Sequence, residues 1–335
     1  VSVSIVYDGK DGSIHLDDIV KSIRWSGDIS QASRKLVVDI ANTSNGRDRL
    51  VEIEKGRGLM LLQDKKELFR GVIFVDSIDS EGQMSITAYD ENIYLSKNKD
   101  TRIFRNMTAS AIIKKLCNEF SIPAGEIADT RYVIPKQIYR DKTLFDMMVT
   151  ALTETEKQNG LRFYLTSRKG KLMLLAREMQ EKVWMLENGA NLLSASYSQS
   201  IEQTRTQIKV MGGDPEKKAQ SATAKDAALI SKFGVMQHLE KPEREMTKSQ
   251  LEQRAKQLLK DMGTIEDDAK IECLGIAEVT AGCAVMVEEV MTGIRGGYYV
   301  ATDEHTFEGS VHKMSLTLSA TDDLPRQDYN PGKGK

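Results

Sequence analysis

Long apolar runs, an excess of one charge, cysteine and aromatic residues are all absent or scarce in this chain. No run approaches the roughly 20 apolar residues needed to span a bilayer, so no membrane insertion is expected. The 47 basic and 49 acidic side chains nearly cancel, leaving a formal charge of −2. A dedicated duplex-DNA binder carries a basic excess to displace counterions, and a globally basic protein is excluded. Aromatic residues make up only 6%, which leaves few platforms for stacking single-stranded bases. The cysteines, Cys117, Cys273 and Cys283, are odd in number and share no close metal-type spacing. Each lies in an apolar run, so all three are expected to be buried free thiols in a reducing compartment. The opening Val1-Ser-Val-Ser-Ile-Val-Tyr7 alternates like a strand and lacks the basic start and apolar stretch of a signal peptide, so assembly in the cytoplasm is expected.

What is present is the composition of a soluble globular protein, 40% hydrophobic and 29% charged over 335 residues, long enough for two or three domains. Residues 1–103 read as strands. Leu36, Val38 and Ile40 share one parity, as do Met84, Ile86 and Ala88, the period of a half-buried strand. Asp64-Lys65-Lys66 and Ser80-Glu-Gly-Gln83 are polar turns between apolar runs and predict hairpins. Short strands at this spacing favour an antiparallel barrel or sandwich.

From Thr108 the period changes. Ala109, Ile112, Ile113, Leu116, Cys117 and Phe120 form one helical stripe. A second helix is predicted from Thr143, with Asp146 as its capping-box partner, and Ser167-Arg-Lys-Gly170 predicts a hairpin behind it. Residues 104–178 therefore read as a small α+β module. Strand signals resume in 179–322, interrupted over 214–263 by a polar loop, Glu216 to Thr223, and two helices. Of these, Lys225 to Phe233 is closed by Gly234, and Thr247 to Met262 starts with a Thr247/Gln250 capping box. Four further strands are predicted from Lys270, Ala284, Tyr298 and Val311. The Pro/Gly/charge-rich tail, 323–335, is expected to be disordered. The fold class is mainly β with an α+β insert: two β-barrel domains of similar strand density flanking the module.

No reactive constellation emerges. His305 and His312 lie near Cys273 and Cys283 in the same predicted domain, yet the close ligand pair of a zinc site is missing. His312 shares parity with Met314, Leu316 and Leu318, so a buried, hydrogen-bonded histidine is expected. Asp303-Glu304-His305 has no Gly-x-Ser-x-Gly elbow to supply a nucleophile. Asp17-Asp18, Glu288-Glu289 and Asp322-Asp323 are adjacent pairs; on a strand such neighbours point to opposite faces and cannot flank one glycosidic bond. Gly56-Arg-Gly58 and Gly293-Ile-Arg-Gly-Gly297 read as turns that lead into no phosphate-holding helix. Lys217-Lys218 and the charges of Lys241 to Arg244 read as solvated surface. No catalytic residue, cofactor site or metal site is expected.

Trp25-Ser-Gly-Asp-Ile-Ser-Gln-Ala-Ser-Arg-Lys-Leu36, Glu67-Leu-Phe-Arg-Gly71, Thr87-Ala-Tyr-Asp90 and Tyr94-Leu95 resemble, in order and spacing, the first domain of XkdQ/YqbQ-type baseplate hub proteins of contractile phage tails. These are distant relatives of late-control protein D and VgrG. Leu144-Phe-Asp-Met-Met148, Asn188-Gly-Ala-Asn-Leu-Leu193, Gly297-Tyr-Tyr-Val-Ala301 and His312-Lys-Met-Ser-Leu-Thr-Leu318 extend the resemblance over most of the chain. It implies a structural, non-enzymatic protein of the virion tail baseplate. Three copies, each with two related barrels, would form a pseudo-sixfold ring joining the sixfold tail tube to the threefold spike. Partners would be other copies of itself, the tail tube protein, the spike or tail-tip protein and baseplate wedge proteins, with DNA as transient cargo in the pore. The alternative is a tail-associated cell-wall hydrolase.

Overall fold

A computed structural model of the chain describes residues 2–177, 182–212, 220–242 and 246–329. Alternating apolar residues make the first seven strands: β1 (Val3–Gly9), β2 (Gly12–His15), β3 (Val20–Asp28), β4 (Lys35–Ala41), β5 (Gly58–Gln63), β6 (Lys66–Ile78) and β7 (Gln83–Tyr89). Leu36, Val38 and Ile40 point inward from β4 beside Met84, Ile86 and Ala88 of β7, as their parity predicts. The β5–β6 hairpin turns on Asp64 and Lys65, both at positive φ (47° and 67°), the geometry that matches the twist of paired strands.

The α+β module comprises α1 (Ile93–Lys97), β8 (Lys99–Thr108), α2 (Ala109–Glu119), β9 (Ala124–Ile127), β10 (Val133–Thr143), α3 (Leu144–Asn159), β11 (Phe163–Arg168) and β12 (Lys171–Ala176). Thr143 and Asp146 form the predicted capping box at the start of α3, and Gly160 closes the helix at φ 75°. Ile112, Ile113 and Leu116 of α2 pack with Leu144, Met147 and Met148 of α3 over Phe104, Ile134, Leu172 and Leu174. At about 25 cal/mol per Å² of apolar area, these buried side chains dominate the module's stability. β8 runs across position 103 and pairs with β10 as a two-stranded ribbon.

The remaining elements are β13 (Trp184–Glu187), β14 (Leu192–Ser200), β15 (Gln207–Gly212), β16 (Gln220–Lys225), α4 (Ala227–Phe233), β17 (Gln237–Glu240), α5 (Lys248–Met262), β18 (Glu266–Leu274), β19 (Ala284–Glu288), β20 (Arg295–Glu308) and β21 (Val311–Ser319). The large sheet has 13 strands, in the order β14-β18-β21-β20-β3-β4-β7-β6-β5-β1-β2, with β19 also on β20 and β13 on β19. Hydrogen bonding therefore passes from one strand group into the other through β3 and β20, from Thr302 opposite Asp28 to Phe307 opposite Ile23.

The chain divides into two compact units, residues 1–195 with 270–335, and residues 196–269. In the second unit β15 lies between antiparallel β16 and parallel β17. Helix α5, capped by Thr247 and Gln250 as predicted, seals Ile208, Val210 and Ala222 with Leu251, Ala255 and Leu258.

Some sequence expectations are corrected by the structure. Of the predicted loop Glu216 to Thr223, residues 216–219 lie outside the described residues, and Gln220 to Thr223 belong to β16. Its small, polar side chains carry little apolar signal; pairing with β15 and burial of Ala222 make the strand. The tail is not free over 323–329. Leu324 is buried, Gln327 N–H donates to Thr153 Oγ1 (3.0 Å), Lys157 pairs with Asp328 (2.7 Å), and Tyr329 Oη accepts from Ile138 N–H (2.8 Å). Residues 330–335 lie outside the described residues. Gly293 is in a turn as expected, whereas Arg295 to Gly297 belong to β20.

Candidate functional site

A group of buried polar side chains lies where β3 and β4 meet β20 and β21. Asp303, His305 and Phe307 share the inward parity of β20, and all three are buried. An inward carboxylate on a core strand requires a cation. Arg34, just ahead of β4, supplies it, with Nη1 and Nη2 donating to the two Asp303 oxygens at 2.8 and 2.5 Å. The guanidinium lies over Trp25, 4.2 Å from the ring centroid, a cation–π contact that suits a desolvated arginine. Gly27 stands opposite Asp303, and a Cβ there would collide with Arg34 Nη1. The missing side chain is what lets the guanidinium through. Asp303 Oδ1 also accepts from Ala281 N–H at 2.6 Å.

The histidines form a chain with a determined proton order. His305 Nε2 lies 2.9 Å from Val279 O, and His305 Nδ1 lies 3.0 Å from His312 Nε2. A carbonyl only accepts, so His305 carries its proton on Nε2 and accepts at Nδ1, and His312 donates from Nε2. Among the described residues the buried His312 Nδ1 has no hydrogen-bond partner. Burial lowers the pKa of His305, and burial with the neighbouring His305 lowers that of His312 to about 4. Both rings are therefore neutral near pH 7. His312 also stacks on Phe307, with centroids 4.0 Å apart. On the other flank, Arg34 N–H donates to Asp90 Oδ2 and Asn92 N–H to Asp90 Oδ1. Burial raises the Asp90 carboxyl to about 7.

This arrangement ties β3, β4, β20 and the segment at Val279–Ala281 together. His305 is fully buried and its Nε2 is committed to Val279, although Asp303 Oδ2 lies 3.5 Å away. Among the described residues no group of three or more His, Cys, Asp or Glu side chains could hold a metal ion. Cys117 and Cys273 are buried free thiols, pushed up to about 11 and about 12 chiefly by burial, while Cys283 is only half-buried and donates to Glu278 O. Buried thiols with raised pKa values are poor nucleophiles at neutral pH.

The adjacent carboxylates are also engaged locally, though two of the three pairs lie off the strands. Asp17 opens a 3-10 turn and accepts from Ile5 N–H at 2.8 Å. Asp322 binds Arg162 and, bidentately, Arg177, whereas Asp323 accepts from Ser319 and Thr321. Glu289 folds back to accept from the Thr292 hydroxyl and from the backbone of Thr292 and Met291, which together hold its pKa below the usual carboxylate range. Lys217, Lys218 and Arg244 lie outside the described residues. Gly27 and Arg34 carry no individual signal in the sequence, although both lie in the Trp25–Leu36 stretch; the inward parity of Asp303 is the feature that points to a buried cation.

A profile of the family described as YQBQ-like matches residues 23–319. The uncharacterized protein YqbQ of Bacillus subtilis is 35% identical over 312 residues, covering 92% of this chain and 95% of that protein. The phage-like element PBSX protein XkdQ of the same organism is 34% identical over the same length and shares. The fold is that of the 43 kDa tail protein of prophage MuSo2 from Shewanella oneidensis, with a TM-score of 0.68 at 16% identity, covering 97% of this chain and all of the other.

Proposed function

The chain belongs to the YQBQ-like family, and on that premise we propose that it is a structural component of a phage tail baseplate. The observation that carries this reading is the end-to-end likeness to a phage-like element protein and a prophage tail protein. The candidate site is consistent with it: its carboxylates and imidazoles are buried and engaged by the Arg34 guanidinium, by backbone groups or by one another, as in a scaffold. We further propose the hub role. Two related β modules per chain, one in each strand group of the large sheet, would let three copies present six similar faces to a sixfold tail tube and three to a spike. Duplication inside a chain thus resolves a mismatch of symmetries. Near-neutral charge suits a pore through which DNA passes without being held.

Light scattering on the purified protein, followed by projection images of assembled tails, tests the reading. The expected result is a three-copy ring with interfaces of roughly 2,000 Å² or more, typical of obligate assemblies. Tails in which the chain occupies no threefold ring would refute the hub role. Clearing of peptidoglycan in a zymogram, abolished by a carboxylate-to-amide change, would refute the non-enzymatic reading.

A further inference from the structure

Two places on the first unit carry like charges directly opposite one another across a strand pair, an arrangement that weakens a sheet. On the β8–β10 ribbon, Arg105 faces Lys136, and the next pair on the same side is Ile103 with Ile138. On the β13–β19 pair, Glu187 faces Glu288, and the next pair on that side is Met185 with Met286. All four charged side chains are exposed, and none has an ion pair among the described residues. Ile103, Met185 and Met286 are 55%, 48% and 40% exposed. The opposite faces are buried: Phe104 and Tyr139 under the ribbon, Leu186, Val285 and Val287 under β13 and β19.

The two quartets match. In each, an apolar pair stands two residues from a charged pair, which is about 7 Å along a strand and about 5 Å across it. The signs are opposite. The basic quartet sits in a ribbon with six basic and two acidic residues, a net +4 in a chain of net −2. Near the acidic one, Val290 and Met291 add apolar surface, at 67% and 92% exposure. Edge charges that only discourage aggregation need neither congruent apolar neighbours nor a complement elsewhere on the same molecule.

We propose that the quartets are the two halves of one head-to-tail contact between copies of this chain: Ile103, Arg105, Lys136 and Ile138 of one copy seat on Met185, Glu187, Met286 and Glu288 of the next. Different patches meeting in this way form a heterologous interface, which closes into a ring when the rotation allows. The apolar pairs favour a protein partner, because phosphates make no use of isoleucine. This inference rests on the ring reading above and specifies the surfaces that would build the ring.

The test measures mass against concentration by sedimentation for four proteins in low and moderate salt. These are the wild type, R105E/K136E, E187K/E288K, and the chain carrying all four changes. The expected result is a trimer that either double reversal weakens by about 100-fold or more and that the fourfold reversal restores. Restoration also shows that the reversed chains fold. A wild-type trimer indifferent to reversal would overturn the contact and leave the ring reading standing. A wild type monomeric at every concentration would overturn the contact, with the ring itself judged separately from tail images. An effect of R105E/K136E alone, with E187K/E288K silent, would overturn it too.

Discussion

Gly275 and His312 are packed so tightly that a methyl group on the glycine would overlap the carbons of the imidazole, while Gly275 N–H donates to His312 O at 2.8 Å. Backbone and ring cannot both keep their places once a side chain is added. Gly275→Ala is expected to cost about 2–3 kcal/mol, as overpacking in a close-packed core does. Adding His312→Ala should recover part of that loss, with a coupling above about 1 kcal/mol in a double-mutant cycle. Urea unfolding of the four proteins measures it, and strictly additive losses would contradict the packing argument.

Arg34 and Asp303 give a second prediction. Arg34→Met strands a buried carboxylate and is expected to destabilise by about 3–5 kcal/mol. Arg34→Met combined with Asp303→Leu should be less destabilised than Arg34→Met alone, because no charge is then left unpaired. Gly27→Ala, which blocks the path of the guanidinium, should resemble Arg34→Met. Thermal midpoints rank the variants.

The buried titrating groups predict opposing pH dependences. His312 has its folded pKa lowered to about 4 and that of His305 is also lowered, so the unfolded chain binds more protons below about pH 6.5. Their contribution is present above about pH 6.5 and is lost as pH falls towards 4, on the order of 3 kcal/mol for His312. Asp90, raised to about 7 by burial, acts the other way: its contribution is present below about pH 4 and is lost as pH rises through 7. His312→Phe should therefore tilt the profile between about pH 4 and 6.5 towards greater relative stability in acid. Urea midpoints across that range and up to about pH 8 measure the change in slope.

The C-terminal strap supplies a fourth. Asp322 joins Arg162 and Arg177, and Tyr329 Oη accepts the Ile138 amide. A chain ending at residue 321 should exchange amide hydrogens about 10–100-fold faster over α3 and at Ile138 than the full chain, as local opening becomes easier. Equal rates would mean the strap contributes nothing there.

What the sequence makes legible is local. Thr143 with Asp146 and Thr247 with Gln250 announce α3 and α5 because a cap is written within four residues. Asp64-Lys65 announces a turn, and His312 reveals its inward side through Met314 and Leu316. Partners far apart are illegible. Arg34 and Asp303 are 269 positions apart, and no pattern around either names the other. The strap reads as disordered from its composition, yet it is ordered by side chains on α3 and by β10. Likewise β16 exists because β15 offers it a ladder.

The ladder between β3 and β20 has a consequence for biosynthesis. A ribosome releases β3 near the start of translation and β20 near the end, roughly 15–60 s later at ordinary elongation rates. Throughout that interval the edge of β3 that will pair with Thr302 to Phe307 of β20 displays bare amides and carbonyls to every other nascent chain. Slow elongation late in the message, or a shortage of chaperone, is thus a hazard built into the order in which this polypeptide is made.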